Sequence, residues 1–109
     1  MVCRKWRGWT TVTNASVYEE LLRSTVLPGI EARAITGFRS IDMMRREIGG
    51  EIEFTTIMWF DDLAAVKAFV GDDHEIAYVP AAARAVLSRF DERAVYNDVF
   101  NCREQAGRS

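Results

Sequence analysis

Histidine occurs once in the 109 residues, cysteine twice and proline twice, and these scarcities exclude much chemistry. One histidine and two cysteines nearly a chain length apart make no zinc-spaced set. No glycine-rich phosphate loop and no serine-hydrolase elbow occurs. The commonest cofactor and hydrolase mechanisms are therefore not expected, and neither a cofactor nor a metal is. No apolar run approaches the roughly 20 residues a membrane helix requires, and the opening "MVCRKWRGWT" is charged without the apolar stretch of a signal peptide. The membrane is thus no expected partner, and the cytoplasm is the expected compartment. Neither sign of charge dominates. Fourteen basic and 16 acidic residues are interspersed to a net −2, which leaves no electrostatic footprint for nucleic acid.

What is present is globular composition, 49% apolar and 28% charged, at the length of one ordinary domain, able to bury roughly two thirds of the surface of its unfolded form. One domain over residues 1–102 is expected, with 103–109, "REQAGRS", as a loose tail. "KWRGWTTV", Lys5 to Val12, is rich in aromatic and β-branched residues and reads as the first strand. Asn14 follows as a helix cap, the reading also preferred to glycosylation for "NAS". The helix "ASVYEELLRSTVL" ends at Pro28, with a further turn open in "GIEARA". "GFRSIDMMRREI", then "GG", then "EIEFTTIMWF" reads as two strands joined by a tight turn. Asp61 or Asp62 starts a second helix whose apolar stripe is Leu63, Val66, Phe69 and Val70, and Gly71 stops it. "DDHEIAYVPAAARAVLSRF" reads as one or two short helices, and "ERAVYNDVF", Glu92 to Phe100, as a fourth strand.

The order is β-α-β-β-α-β, an α+β, ferredoxin-like split βαβ arrangement with a four-stranded antiparallel sheet and its helices on one face. The hairpin strands carry apolar residues on both parities: Phe38 and Met44 against Ile41 and Met43, then Ile52, Phe54, Met58 and Phe60 against Ile57 and Trp59. Both faces of the sheet should therefore be covered. A homodimer packed through the open face is expected.

The linked segments "WRGWT", "YEELL", "VLPGIEARAITGFRSIDMMRRE", "EFTTIMWFDDLAAVKAF" and "GDDHEIAYVP" resemble the antibiotic biosynthesis monooxygenase family of the dimeric α+β barrel superfamily, over about residues 4 to 100. The resemblance implies a ferredoxin-like dimer whose two sheets close into a barrel. It also implies cofactor-independent oxygenation of a phenol or quinol, or a non-catalytic dimeric module that binds a small molecule or only packs with itself. By resemblance, Trp59 matches a tryptophan lining a pocket between sheet and helices, and Thr55 stands where the family's oxygenases have an asparagine that positions substrate. Trp59 and Thr55 are the catalytic candidates so implied. Arg84 and Arg89 lie on the last helical stretch, from which, as the resemblance to related oxygenases implies, an arginine reaches back toward the pocket, and Arg84 is the candidate. The family's haem-degrading branch needs a tryptophan and a histidine where this chain has Phe69 and Val79, so haem is not implied.

Read from the residues alone, Trp59 is open between core filling and pocket lining. Tyr18 and Tyr78 reach from helices with a polar tip, and with Phe69 and Arg84 they complete the substrate-binding candidates for an aromatic small molecule. His74, in "GDDHEI", reads as exposed, and "DDH" as no metal triplet, because consecutive side chains diverge. Arg39, Arg45 and Arg46 read as edge or interface residues, and Arg89 as helical. Asp42 and Asp98 are the only nominees for a general base. The split sheet should bring Cys3 near Cys102. A reducing compartment favours two free thiols over a bridge.

Overall fold

Two glycines set the hairpin. In the computed structural model, which describes residues 1–105, Gly49 and Gly50 take φ of +59° and +80°, the left-handed pair that a two-residue turn demands. They join β2 (Phe38–Ile48) to β3 (Glu51–Phe60), antiparallel from Ile48↔Glu51 to Phe38↔Phe60 with a register shift between Phe38 and Ser40. The extra residue is Arg39, which pairs with Asp61 and reverses the alternation of side chains at that end of β2.

β1 (Val2–Thr11) lies along the other edge of β3, from Val2↔Phe60 to Thr11↔Glu51. Its free edge is shared by two short strands, β4 (Arg89–Phe90) beside Gly8 and Trp9, and β5 (Val95–Asp98) beside Val2 to Lys5. The expected fourth strand, Glu92–Phe100, is thus shortened to β5, and a further short strand, β4, lies at Arg89–Phe90, a stretch expected to be helical. The cause is Asp91. Its amide donates to the Arg7 carbonyl at 2.9 Å and its carboxylate takes the Arg7 Nε–H at 3.0 Å, while its carbonyl accepts the Trp6 indole N–H at 2.6 Å. Beyond that pin the chain swings out to pair Glu92 with Ala77 and Ala94 with Glu75 before returning. The sheet therefore has five antiparallel strands in the order β2-β3-β1-β4, with β5 farther along β1.

All helices pack on one face. The first runs through Pro28 instead of ending there: α1 (Ala15–Leu21) passes through a π turn at Leu22–Val26 into α2 (Leu27–Ala32). The wide turn, in which the Leu27 amide reaches back to the Leu22 carbonyl, moves the preceding carbonyls off the proline ring, which also lacks the donor a regular turn would use. Asn14 does not cap α1 with its side chain; its amide nitrogen reaches the Val86 carbonyl at 3.4 Å instead. α3 (Leu63–Val70) is capped by Asp62, whose carboxylate takes the Ala65 amide at 3.0 Å, and Gly71 ends it at φ +90°. Its buried face is Ala65, Val66 and Phe69, whereas Leu63, expected in the stripe, sits at the first helical position and is exposed. α4 (Ala81–Val86) follows Pro80.

Alternation along the strands settles which parity meets the helices. Trp6, Ile52, Phe54, Met58 and Phe60 are buried beneath them in two adjoining clusters, one around Tyr18 and Leu22 and one around Val66 and Phe69. The other face carries Lys5, Asp42, Thr55, Ile57 and Trp59 at partial or full exposure, together with the exposed apolar side chains Met44, Ile48 and Val95. Arg103, Glu104 and Gln105 are exposed and irregular, and the remainder of the expected loose tail lies outside the described residues. Among the described residues no helix is long and apolar enough to cross a membrane.

Candidate functional site

Between sheet and helices the packing leaves a cavity of about 40 Å³ whose polar lining is Arg4, Tyr18, Thr56 and Tyr78. It is small, enough for a few water-sized groups. Its wall is aromatic: Phe69 lies 4.9 Å from Tyr78, and Tyr18 meets Phe54 edge-on at 4.8 Å between ring centroids. Leu22, Ile41 and Met43 line it and also line a second, open groove of about 270 Å³ between α1 and β2. The groove and the cavity are therefore neighbours across these three side chains. Glu19 stands at its rim, paired with both Arg23 and Arg45, and the Arg45 guanidinium lies over Phe54 at 5.8 Å.

Arg4 is the most unusual member. It is 4% exposed, its Nε donates to the Tyr96 hydroxyl at 2.8 Å and its Nη2 to the Ile76 carbonyl at 2.9 Å. Its guanidinium also lies over Phe69 at 5.5 Å. Phe69 also meets Arg33, stacked at 5.2 Å, which closes α3 by donating to the carbonyls of Ala68 and Phe69 at 3.0 and 2.9 Å.

The Tyr18 hydroxyl has no protein hydrogen-bond partner among the described residues, and burial pushes it up to about 12. It is thus a proton donor at neutral pH and no base. A phenol that holds its proton more tightly folded than unfolded contributes stability that is complete below about pH 10 and is lost as the pH climbs towards 12. The full span is roughly 2–3 kcal/mol. Tyr18→Phe is expected to remove this alkaline loss and to leave neutral-pH stability unchanged or slightly raised, read from urea unfolding at pH 8 and pH 11. An identical alkaline loss in the variant would place its cause elsewhere.

Three of the expected ligand-binding residues, Tyr18, Phe69 and Tyr78, meet in this cavity. The others do not. Trp59 and Thr55 are on the opposite face of the sheet, so the pocket expected around them beneath the helices is not there. Trp59 donates its indole N–H to Asp42 at 3.0 Å, and Thr55 lies in a shallow depression with Lys5, Arg46 and Ile57. Arg84 is exposed, donating to the Val79 carbonyl at 3.2 Å and stacking on Phe90 at 5.0 Å. Asp42 and Asp98 are exposed and outside the cavity. His74, expected to be exposed, is half-buried edge-on against Tyr96 at 5.1 Å. No group of three metal-ligating side chains occurs among the described residues, and Cys3 and Cys102 are free thiols. Arg4 and Thr56 went unremarked in the sequence; the signal for both was parity, since they stand across from Met58 and Trp6 on the buried side.

The opposite face has its own charged order. Trp9 is buried between Arg89, 3.9 Å above its ring, and Arg7, at 5.1 Å. Glu53 beside it is held below the usual carboxylate range, first by its hydrogen bond from Arg46 and further by Arg7 and the Trp9 indole.

No family model matches the chain, and no curated protein does. Solved structures do. A Bacillus cereus protein provisionally named an antibiotic biosynthesis monooxygenase superposes with a TM-score of 0.57 at 12% identity, over 95% of this chain and 96% of that one. The Pseudomonas aeruginosa protein PA3566 gives 0.57 at 19%, over 90% and 94%. Rv0793 of Mycobacterium tuberculosis aligns at 22% identity with a TM-score of 0.49, over 97% and 98%. At these identities the likeness is one of architecture: the chain has the α+β, ferredoxin-like fold that its resemblance to the antibiotic biosynthesis monooxygenases implied.

Proposed function

We propose that the chain is a cofactor-independent monooxygenase of a small phenol or quinol, acting as a homodimer packed through the open sheet face, with the cytoplasm as its compartment. The observation that carries the reading is the aromatic-walled cavity, polar at Arg4, Tyr18 and Thr56 and bordered by an open groove. Such chemistry asks little of the protein. It must bind an aromatic ring, favour the ionised oxygen and keep water out while the ring reduces dioxygen. A ring CH₂, in its phenolic tautomer, plus O₂ gives a ring carbonyl plus water, so both reducing equivalents come from the substrate. Phe69 and Tyr78 supply the wall and Tyr18 a neutral donor. Trp59 and Thr55 lie in the proposed dimer interface.

A second reading, a dimeric module that binds a small molecule without turning it over, is favoured by the 40 Å³ inner volume, too small for a polycyclic ring unless Leu22 and Met43 yield. Oxygen uptake over a panel of anthrones, naphthols and quinols, with no cofactor or metal added, separates the two. Uptake above the spontaneous rate is expected, with kcat/KM at least tenfold lower in Met43→Trp, which crowds the cavity. No uptake across the panel would leave the binding module. Loss in Trp59→Phe with none in Met43→Trp would move the chemistry to the open face.

A further inference from the structure

We propose that Arg4 makes the inner cavity an anion subsite, selecting a ligand with one ionised oxygen, a phenolate or a carboxylate; this rests on the cavity being the ligand site. A guanidinium has five N–H groups and no deprotonated form to retreat to. Two find protein acceptors, the Tyr96 hydroxyl and the Ile76 carbonyl, and both acceptors are neutral. Among the described residues no carboxylate lies within ion-pair distance of Arg4, although its residue is 4% exposed. Buried charges are ordinarily paired, because an isolated one gives up its hydration without compensation.

The charges around it do not repair the deficit. Glu75, close enough to act on the Tyr96 hydroxyl, is engaged by Arg93 at 3.8 Å. Arg33 approaches Phe69 and adds a second positive charge. Lys5, the next residue on β1, points to the other face, and the acid that lines the neighbouring groove, Glu19, is taken by Arg23 and Arg45. The cavity thus has positive charge, a neutral hydroxyl donor at Tyr18, and no acceptor carboxylate in its lining. The geometry also fixes Arg4: Tyr96 holds its Nε edge and itself donates to the His74 carbonyl, which leaves the remaining N–H groups for a ligand. An ionised oxygen meeting them forms charge-assisted hydrogen bonds in a site shielded from water.

The test uses 4-nitrophenol, whose visible absorbance reports its ionisation, bound to the full-length protein. The bound phenol is expected to titrate at least one unit below the free one, a tenfold preference for the anion, while neutral nitrobenzene binds at least tenfold more weakly than nitrophenolate. Arg4→Gln should abolish both differences, and Arg4→Lys, which restores the charge, should recover part of the shift. Far-UV circular dichroism on each variant shows that it is folded; should Arg4→Gln not fold, the wild-type shift and its partial retention in Arg4→Lys decide the matter. Displacement by benzoate assigns carboxylates to the subsite as well, and failure to displace restricts it to phenolates. A bound phenol that titrates like the free one, equal binding of nitrobenzene, no binding at all, or an undiminished shift in Arg4→Gln would each overturn the proposal. Oxygen uptake beside an unmoved titration removes the subsite and keeps the oxygenase, whereas a moved titration without uptake does the reverse.

Discussion

Phe60→Ala is expected to cost about 3–5 kcal/mol of folding stability, the range for truncating a fully enclosed aromatic ring. Phe60 has no exposed surface. It is the last residue of β3, and its ring sits 5.5 Å from Phe38 and 6.1 Å from Phe69, so it joins the two hairpin strands to α3. Removing it opens a void bounded by a strand, a strand and a helix, none of which can close in without losing its own pairing. Against a total stability of roughly 5–15 kcal/mol, the loss is a large fraction, and the melting temperature should fall by on the order of 15 °C. Urea unfolding followed by circular dichroism measures it. A cost below about 1 kcal/mol would mean that the layer repacks and that the core near α3 is not fixed as described.

Ile57→Asp is expected to break the proposed dimer while leaving the fold in place. Ile57 is half-buried at the middle of the open face, its backbone across from Lys5 on one side and Asp42 on the other, with the exposed Met44, Ile48 and Val95 on the same face. Its side chain belongs to neither core cluster, so the protomer loses little. In the dimer the new carboxylate would be desolvated and would face Asp42 on its own sheet. An uncompensated buried charge at an interface centre weakens association by at least two orders of magnitude, about 3 kcal/mol. Sedimentation at micromolar concentration should find the wild type at about twice its 12.4 kDa and the variant at once that mass. A monomeric wild type would remove the dimer, and a dimeric variant would move it to another surface.

The hairpin was legible because its turn is chemical: only residues free to take positive φ fit Gly49 and Gly50. The start of α3 was legible for the same kind of reason, an aspartate that must accept amides. What failed was whatever depended on a choice between two faces. The strand Glu51–Phe60 has apolar side chains on both parities, so its sequence does not say whether the Met58 set or the Trp59 set meets the helices, and the site was assigned one residue out of phase. In a β-strand that error moves every side chain to the other side of the sheet. Arg4 escaped notice because "CRKWRG" reads as a solvated basic run, and only the pairing of β1 with both β3 and β5 buries one of its cations. The extra strand at Arg89–Phe90 was hidden for a related reason: Asp91 looks like a turn residue, but its carbonyl, amide and carboxylate are all held by β1.

The placement of β1 bears on how the molecule is made. Its partners lie far apart in sequence: β3 pairs with one edge once residue 60 is made, whereas the other edge waits for β4 at Arg89–Phe90 and then for β5, where Asp98 meets Val2. Until residues 88–98 have been made, that edge of β1 has no hydrogen-bond partner, and the Arg4 guanidinium lacks the Tyr96 hydroxyl. Contacts of such long sequence separation close late and slowly. Residues 88–98 therefore complete both the sheet and the pocket, and a chain released short of Tyr96 would carry a partly open strand edge and an unsupported arginine.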